Sequence, residues 1–298
     1  MRLKTARTIE IPDCAGSSFD HGAFDPMTRR VFVAHTGRDR VEVIDRDRGC
    51  HVATLDGFPH AAGVVADAGR VLVTNRGSAA LAWLEADTLK TRAVFETGLR
   101  PNGVAIVARF NLAVAASIGD EAHRPALQVL NLAGGQRWAI DLPGRPRWCV
   151  TDLAGTRVFL AIRDPSMVLV ANLPELDDVQ HWPVPSAGAH GIDIDHRANR
   201  LYVACDGGAL VELDALSGKV RDEWALAGAP DATFFNPASG LVHVAIGEPG
   251  LVQSINPSTG ATAQSTTAAG AKTTALVPPD HLYAFSSACR GVLDLAGA

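Results

Sequence analysis

Seven radial blades, each of four antiparallel strands, are predicted by three features of this 298-residue sequence. A unit of similar content returns about every 42 residues, the period at which four-stranded sheets are laid around a central axis. Each unit reads in one order: a buried strand, a Gly-rich or polar turn, a second apolar strand ending in Asp or Asn, and a closing turn. No segment carries a sustained 3.6-residue apolar period, so helices are not expected to contribute.

The elements follow in chain order. The clearest first copy runs from Phe24-Asp25-Pro26 through Val31-Phe32-Val33-Ala34-His35 to Val41-Glu42-Val43-Ile44-Asp45. The second contains Val71-Leu72-Val73-Thr74-Asn75, and the fifth runs from Gly191-Ile192-Asp193 through Leu201-Tyr202-Val203-Ala204-Cys205 to Leu213-Asp214. β-Branched and aromatic runs between turns such as Ala154-Gly155, Ser217-Gly218 and Ser239-Gly240 mark the strands. Aligned on an opening Gly-x-Pro or Gly-x-His, the units start near Phe19, Phe58, Leu99, Arg145, Ala189, Ala229 and Ala271. The third carries a polar insertion, residues 118–125, of the kind that maps to one propeller face. Pro174-Glu175-Leu176-Asp177-Asp178 reads as a loop. The last unit lacks its outer strand, which the N-terminus around Thr8-Ile9-Glu10-Ile11 is expected to supply. That pairing closes the ring and removes the open sheet edges.

Composition agrees with this architecture. Hydrophobic residues make up 47% of the chain and charged residues 20%, enough for a full core and unlike disorder. Length alone would allow two domains, but a closed array shares one core, so residues 1–298 are expected to form a single propeller domain. The formal charge of −5 with no Lys/Arg run argues against a nucleic-acid partner. No apolar stretch approaches membrane-spanning length, and none of signal-peptide length follows Met1. The five cysteines (Cys14, Cys50, Cys149, Cys205, Cys289) lack CxxC spacing and read as free buried thiols. A cytoplasmic location is the expectation.

At the second strand of several units the chain resembles the YVTN-repeat β-propellers. The matching segments are Leu72-Val73-Thr74-Asn75, Tyr202-Val203-Ala204-Cys205 and Phe32-Val33-Ala34-His35, with Glu42-Val43-Ile44-Asp45 and Ser254-Ile255-Asn256 echoing the element that follows. The resemblance covers nearly the whole chain and implies seven blades. His35, Cys205, Ile162 and Ile246 stand where the family has Asn. The family includes surface-layer-like, binding and lactonase-like proteins, so the resemblance implies a fold and leaves the function open.

Chemistry is expected where innermost strands line the channel, because one repeat position from every blade then forms a ring. The residue after the opening Pro or its equivalent gives His21, His60, Asn102, Arg147, His190, Asp231 and Thr273. All are polar, on strands otherwise built of Ala, Gly, Val and Ile. His21, His60, His190 and Asp231 would suit one divalent metal ion, whose bound water would be acidified for hydrolysis. Alternatively, Arg147 with histidines would clamp a carboxylate or phosphate. A second set, His35, Asn75, Ser117, Arg163, Asp206 and Glu248, ends or follows second strands. Wet polar channel mouths and turn hydrogen bonds would explain either set without function. The five tryptophans fall mainly on blade strands; Trp148 follows Arg147 and would either pack in the core or wall the mouth.

No G-x-S-x-G elbow, P-loop, strand-borne G-x-G-x-x-G, HExxH or EF-hand pattern occurs. The leading expectation is a binding propeller that holds a small molecule at the channel mouth or presents a loop face to a protein partner. The alternative is a metal-dependent, lactonase-like hydrolase using the polar ring.

Overall fold

The computed structural model describes residues 2–134 and 136–297. Seven four-stranded antiparallel sheets form the blades, each ordered from inner to outer strand as the chain runs. Blades 1 to 6 span residues 22–56, 61–96, 101–141, 146–183, 189–225 and 230–266. Blade 7 takes three strands from residues 273–297 and its outer strand from Leu3–Glu10, which pairs with Gly291–Gly297. The ring is therefore closed by its two ends, as the truncated last unit implies. Two short 3-10 turns, Thr36–Arg38 and Ala108–Phe110, are the additions to the sequence reading.

The repeated Asp or Asn at the end of the third strand has a local cause. Asp45, Asn131, Asp214 and Asn256, at or just past the ends of third strands, accept backbone N–H bonds from residues two or three ahead, at about 2.9–3.2 Å, and Asp195 builds the same turn after the inner strand of blade 5. These are turns built by the side chain itself, and they close the third strands of blades 1, 3, 5 and 6. Second strands are buried on both faces, as in Leu112–Ser117 and Leu241–Ile246. Outer strands such as Thr91–Glu96 alternate exposed and half-buried residues. Each hydrophobic cluster joins one blade to its neighbour, so the core is a ring of inter-blade layers rather than one centre.

Around the axis the inner strands approach backbone to backbone. A Cβ at Gly103 would lie 2.4 Å from the Arg147 carbonyl oxygen in the next blade. Gly103→Ala is therefore expected to cost about 2–3 kcal/mol through overpacking against a backbone that cannot retreat. Denaturant unfolding measures this, and an unchanged midpoint would show that blades 3 and 4 have room to part. No helix among the described residues is long and apolar enough to cross a membrane. All five cysteines are free; Cys14, Cys149 and Cys205 are buried, whereas Cys50 and Cys289 are only partly so.

Candidate functional site

The channel ring is built by a bulge. In blades 2 to 6 the pairing of the inner strand with the second strand slips near its start, as between Pro101 and Gly103 or Ala189 and Gly191. A bulge leaves one residue unpaired and re-aims its side chain. Asn102, Arg147, His190 and Asp231 hold that position in blades 3 to 6, and all four line one cavity.

The other three members of the expected ring are displaced. Blade 2 brings Ala62 to the bulge, because His60 sits earlier, in a left-handed turn (φ 47°). His60 is exposed, with its N–H donated to Asp39 Oδ1 at 2.7 Å. In blade 1 the ring position belongs to Asp20, since Ala34 N–H bonds the His21 carbonyl and Gly22 pairs with Val33. In blade 7 it belongs to Lys272, one residue before Thr273, which pairs with Phe285. Thr273 is buried and donates its hydroxyl to the Phe19 carbonyl at 3.1 Å. The expected metal set of His21, His60, His190 and Asp231 consequently does not assemble. Among the described residues no group of three or more His, Cys, Asp or Glu side chains is placed to hold an ion.

His21 enters the cavity by another route. It shares its strand position with Trp148 of blade 4, and the two rings stack across the axis at 3.8 Å and 6°. Trp148 lines both the mouth cavity of about 180 Å³ and a wider space of about 430 Å³ in the other half of the channel. The wider space is walled largely by apolar side chains, among them Phe24, Val65, Ile106 and Phe234. Asp193 stands on its wall, its carboxylate accepting the Phe235 and Ile194 N–H groups, and burial pushes its carboxyl up to about 7.

Charges organise the mouth. Burial pushes the Asp20 carboxyl up, but His21 and Arg76 more than reverse this and hold it well below the usual range. His21 Nδ1–H therefore donates to Asp20 Oδ1 at 2.6 Å, and Arg76 donates to Asp20 Oδ2 at 2.8 Å. Arg76 also donates to Asn102 Oδ1, and the Asn102 amide N–H donates to the Arg147 carbonyl at 3.2 Å. On the other side, His190 Nδ1 meets Asp206 Oδ1 at 2.8 Å, and Arg163 meets Asp206 Oδ2 at 2.7 Å. Burial is again outweighed at Asp206, by His190 and then Arg163, leaving its carboxyl at about 2. Asp231 lies 3.5 Å from His190 Nε2 and 3.4 Å from Lys272 Nζ.

Arg145 and Arg147 are left over. Among the described residues neither guanidinium has an acceptor, and Arg147 Nε is buried without a partner. Burial, reinforced by Arg145, makes the Arg147 proton easier to lose; burial with Arg163, Arg100 and Arg76 does the same at Arg145. Two carboxylates, Asp20 and Asp231, thus face four cations, Arg76, Arg145, Arg147 and Lys272. With neutral imidazoles the cavity has an excess of positive charge.

Sequence reasoning missed Asp20, Arg76, Arg145 and Lys272. Arg76 stood one residue past the end of its second strand, the register that also holds Arg163 and Asp206. The second set mixed that register with the last strand residue and took Asn75 in its place. Of the second set, Arg163 and Asp206 form the rim pair. His35 and Ser117 are buried within their blades, and Asn75 is buried with Oδ1 unpartnered.

Fold and site together define a seven-bladed β-propeller with a cationic channel mouth. No family model matches the chain, and no curated protein matches it. Among solved structures it is similar to a chain of the mitotic checkpoint complex, at 10% identity and a TM-score of 0.81, over 99% of this chain and 93% of that one. It is also similar to hydrazine synthase of Kuenenia stuttgartiensis, at 13% identity and a TM-score of 0.78, over 98% of each chain. At such identities the likeness carries the fold alone.

Proposed function

We propose that this propeller is a binding protein whose channel mouth takes a small anion bearing a carboxylate or phosphate. The observation that carries the reading is the Arg147 guanidinium, partly buried, unpartnered and beside the equally unpartnered Arg145. A buried cation without an acceptor is costly, and a planar guanidinium matches carboxylate and phosphate oxygens in bidentate fashion. Asn102, His190 and Lys272 would supply further donors, and a cavity of about 180 Å³ restricts the ligand to small molecules.

Thermal melting in inorganic phosphate, malonate and chloride at constant ionic strength tests this. Phosphate or malonate is expected to raise the melting temperature saturably, by the equivalent of about 2.7 kcal/mol at a hundredfold excess over Kd. Arg147→Met is expected to abolish that gain while the ligand-free protein melts at or slightly above the wild-type temperature, since an uncompensated charge has been removed. Equal anion responses in the two proteins would overturn the reading.

A further inference from the structure

Away from the channel, at the same end of the ring, a serine, a histidine and a glutamate of blade 1 are hydrogen-bonded in series. Ser17 Oγ lies 2.9 Å from His35 Nε2, and His35 Nδ1 lies 2.7 Å from Glu42 Oε1. We propose that Ser17 is a nucleophile for acyl transfer, with His35 as its general base and Glu42 orienting that base, acting on carboxylic esters that reach the loop of residues 12–18.

The protonation pattern follows from the surroundings. His35 and Glu42 are both fully buried. Burial pushes the Glu42 carboxyl up, but hydrogen bonds from His35, His51 and Thr54 outweigh it and bring it to about 2. Glu42 is therefore a carboxylate at neutral pH, and Nδ1–H of His35 must donate to it. The lone pair on Nε2 then faces the Ser17 hydroxyl, the arrangement a serine nucleophile requires. His51 Nε2 and Thr54 Oγ1 hold the other carboxylate oxygen at 2.8 and 2.6 Å, and Phe19 stacks on the imidazole at 4.5 Å. The base cannot turn away.

Access is through the serine. Ser17 is half-buried between exposed Gly16 and Ser18, and His35 Nε2 stands directly behind its Oγ, so the alcohol and the water of the proposed step meet that nitrogen beside the serine. Gly37 supplies clearance: a Cβ there would lie 2.5 Å from Ser17 Oγ and 2.9 Å from Ser18 N. The Ser18 N–H adjoins the nucleophile and, among the described residues, donates to no acceptor, so it is available to a developing oxyanion.

A comparison inside the ring separates this relay from the needs of the fold. Gln128 and Gln253 occupy the register of Glu42 in blades 3 and 6, pairing with Ala115 and Val244 as Glu42 pairs with Val33. Each accepts directly from a loop backbone N–H, Gly98 at 2.5 Å and Ala227 at 2.9 Å. A neutral amide meets the structural demand there. Blade 1 instead interposes an imidazole and a hydroxyl.

In the proposed step the Ser17 Oγ–carbon bond forms as the hydroxyl proton passes to His35 Nε2. The ester C–O bond then breaks, and the alcohol leaves with that proton. Water, deprotonated by the same nitrogen, releases the acid and restores the serine.

Diisopropyl fluorophosphate tests the nucleophile without an identified substrate, since the Oγ–P bond forms and fluoride leaves by the same proton path. Mass spectrometry of the folded full chain is expected to find one adduct, on Ser17, absent from Ser17→Ala and from urea-unfolded protein. Its formation should slow at least about tenfold in Glu42→Gln, and 4-nitrophenyl acetate hydrolysis should fall similarly in Ser17→Ala. If Glu42→Gln does not fold, the Ser17→Ala and urea comparisons decide. Absence of a Ser17 adduct, equal labelling of folded and unfolded chains, or unchanged ester hydrolysis in Ser17→Ala would each overturn the proposal.

Discussion

Deleting residues 2–11 is expected to abolish cooperative folding. The outer strand of blade 7 works at two interfaces at once. Leu3 packs into the layer between blades 6 and 7, and Ile9 and Ile11 into the layer between blades 7 and 1. Their burial is worth about 1.5–3 kcal/mol each, roughly 5–9 kcal/mol together. A whole domain holds only about 5–15 kcal/mol. The deletion also strands polar partners: Asp294, fully buried, loses the Arg7 guanidinium at 2.9 Å, and Ser265 loses the Leu3 N–H at 2.8 Å. Circular dichroism melts of the truncated and full chains check this. A truncated chain melting within a few degrees of the full one would show that closure contributes little. Ile9→Ala is the graded version, with an expected cost of about 2–4 kcal/mol.

Acid is expected to produce the second large effect. Glu42 has its folded-state pKa depressed from 4.5 to about 2, so its stabilisation is complete above the unfolded value and disappears as pH falls through the folded one. The shift corresponds to about 3 kcal/mol, lost progressively between about pH 5 and pH 2. Asp20 and Asp206 act in the same direction. Asp193 acts oppositely: its carboxyl is raised, so its contribution is greatest below the unfolded value near 3.8 and is lost as pH rises toward 7. Urea unfolding of wild type and Glu42→Gln at pH 7, 4 and 3 isolates the Glu42 part. The variant should be less stable at pH 7 and converge on the wild type in acid. Parallel curves would show that Glu42 is not a buried carboxylate in the folded protein.

Blade number, strand order and ring closure were legible because they rest on local chemistry that repeats. Asp45, Asp214 and Asn256 build the same turn each time, and turns at a fixed period define blades. The ring of channel side chains was half legible. Asn102, Arg147, His190 and Asp231 follow the start of their strands in one register, so counting from it worked. It failed in blades 1 and 7, where the channel residue stands one place before the counted one, and in blade 2, where the counted residue is left-handed. His60 spends its position on a turn, and Thr273 is already paired with Phe285, one place past Lys272. Periodicity carries no record of a single inserted residue. The Ser17–His35–Glu42 series was not legible at all, since its members come from a loop and two strands joined only by the hairpin of one blade.

The stacked pair on the axis decides what kind of passage the propeller has. With the His21 imidazole lying flat on the Trp148 indole, the channel holds two chambers, one small and cationic, the other larger and lined by both apolar side chains and the Asp193 carboxyl. The two rings lie between the chambers, and Trp148 borders both of them. The indole is the party wall. Because that indole borders both chambers, a change in its emission would report a solute in either one, once the other four tryptophans are replaced.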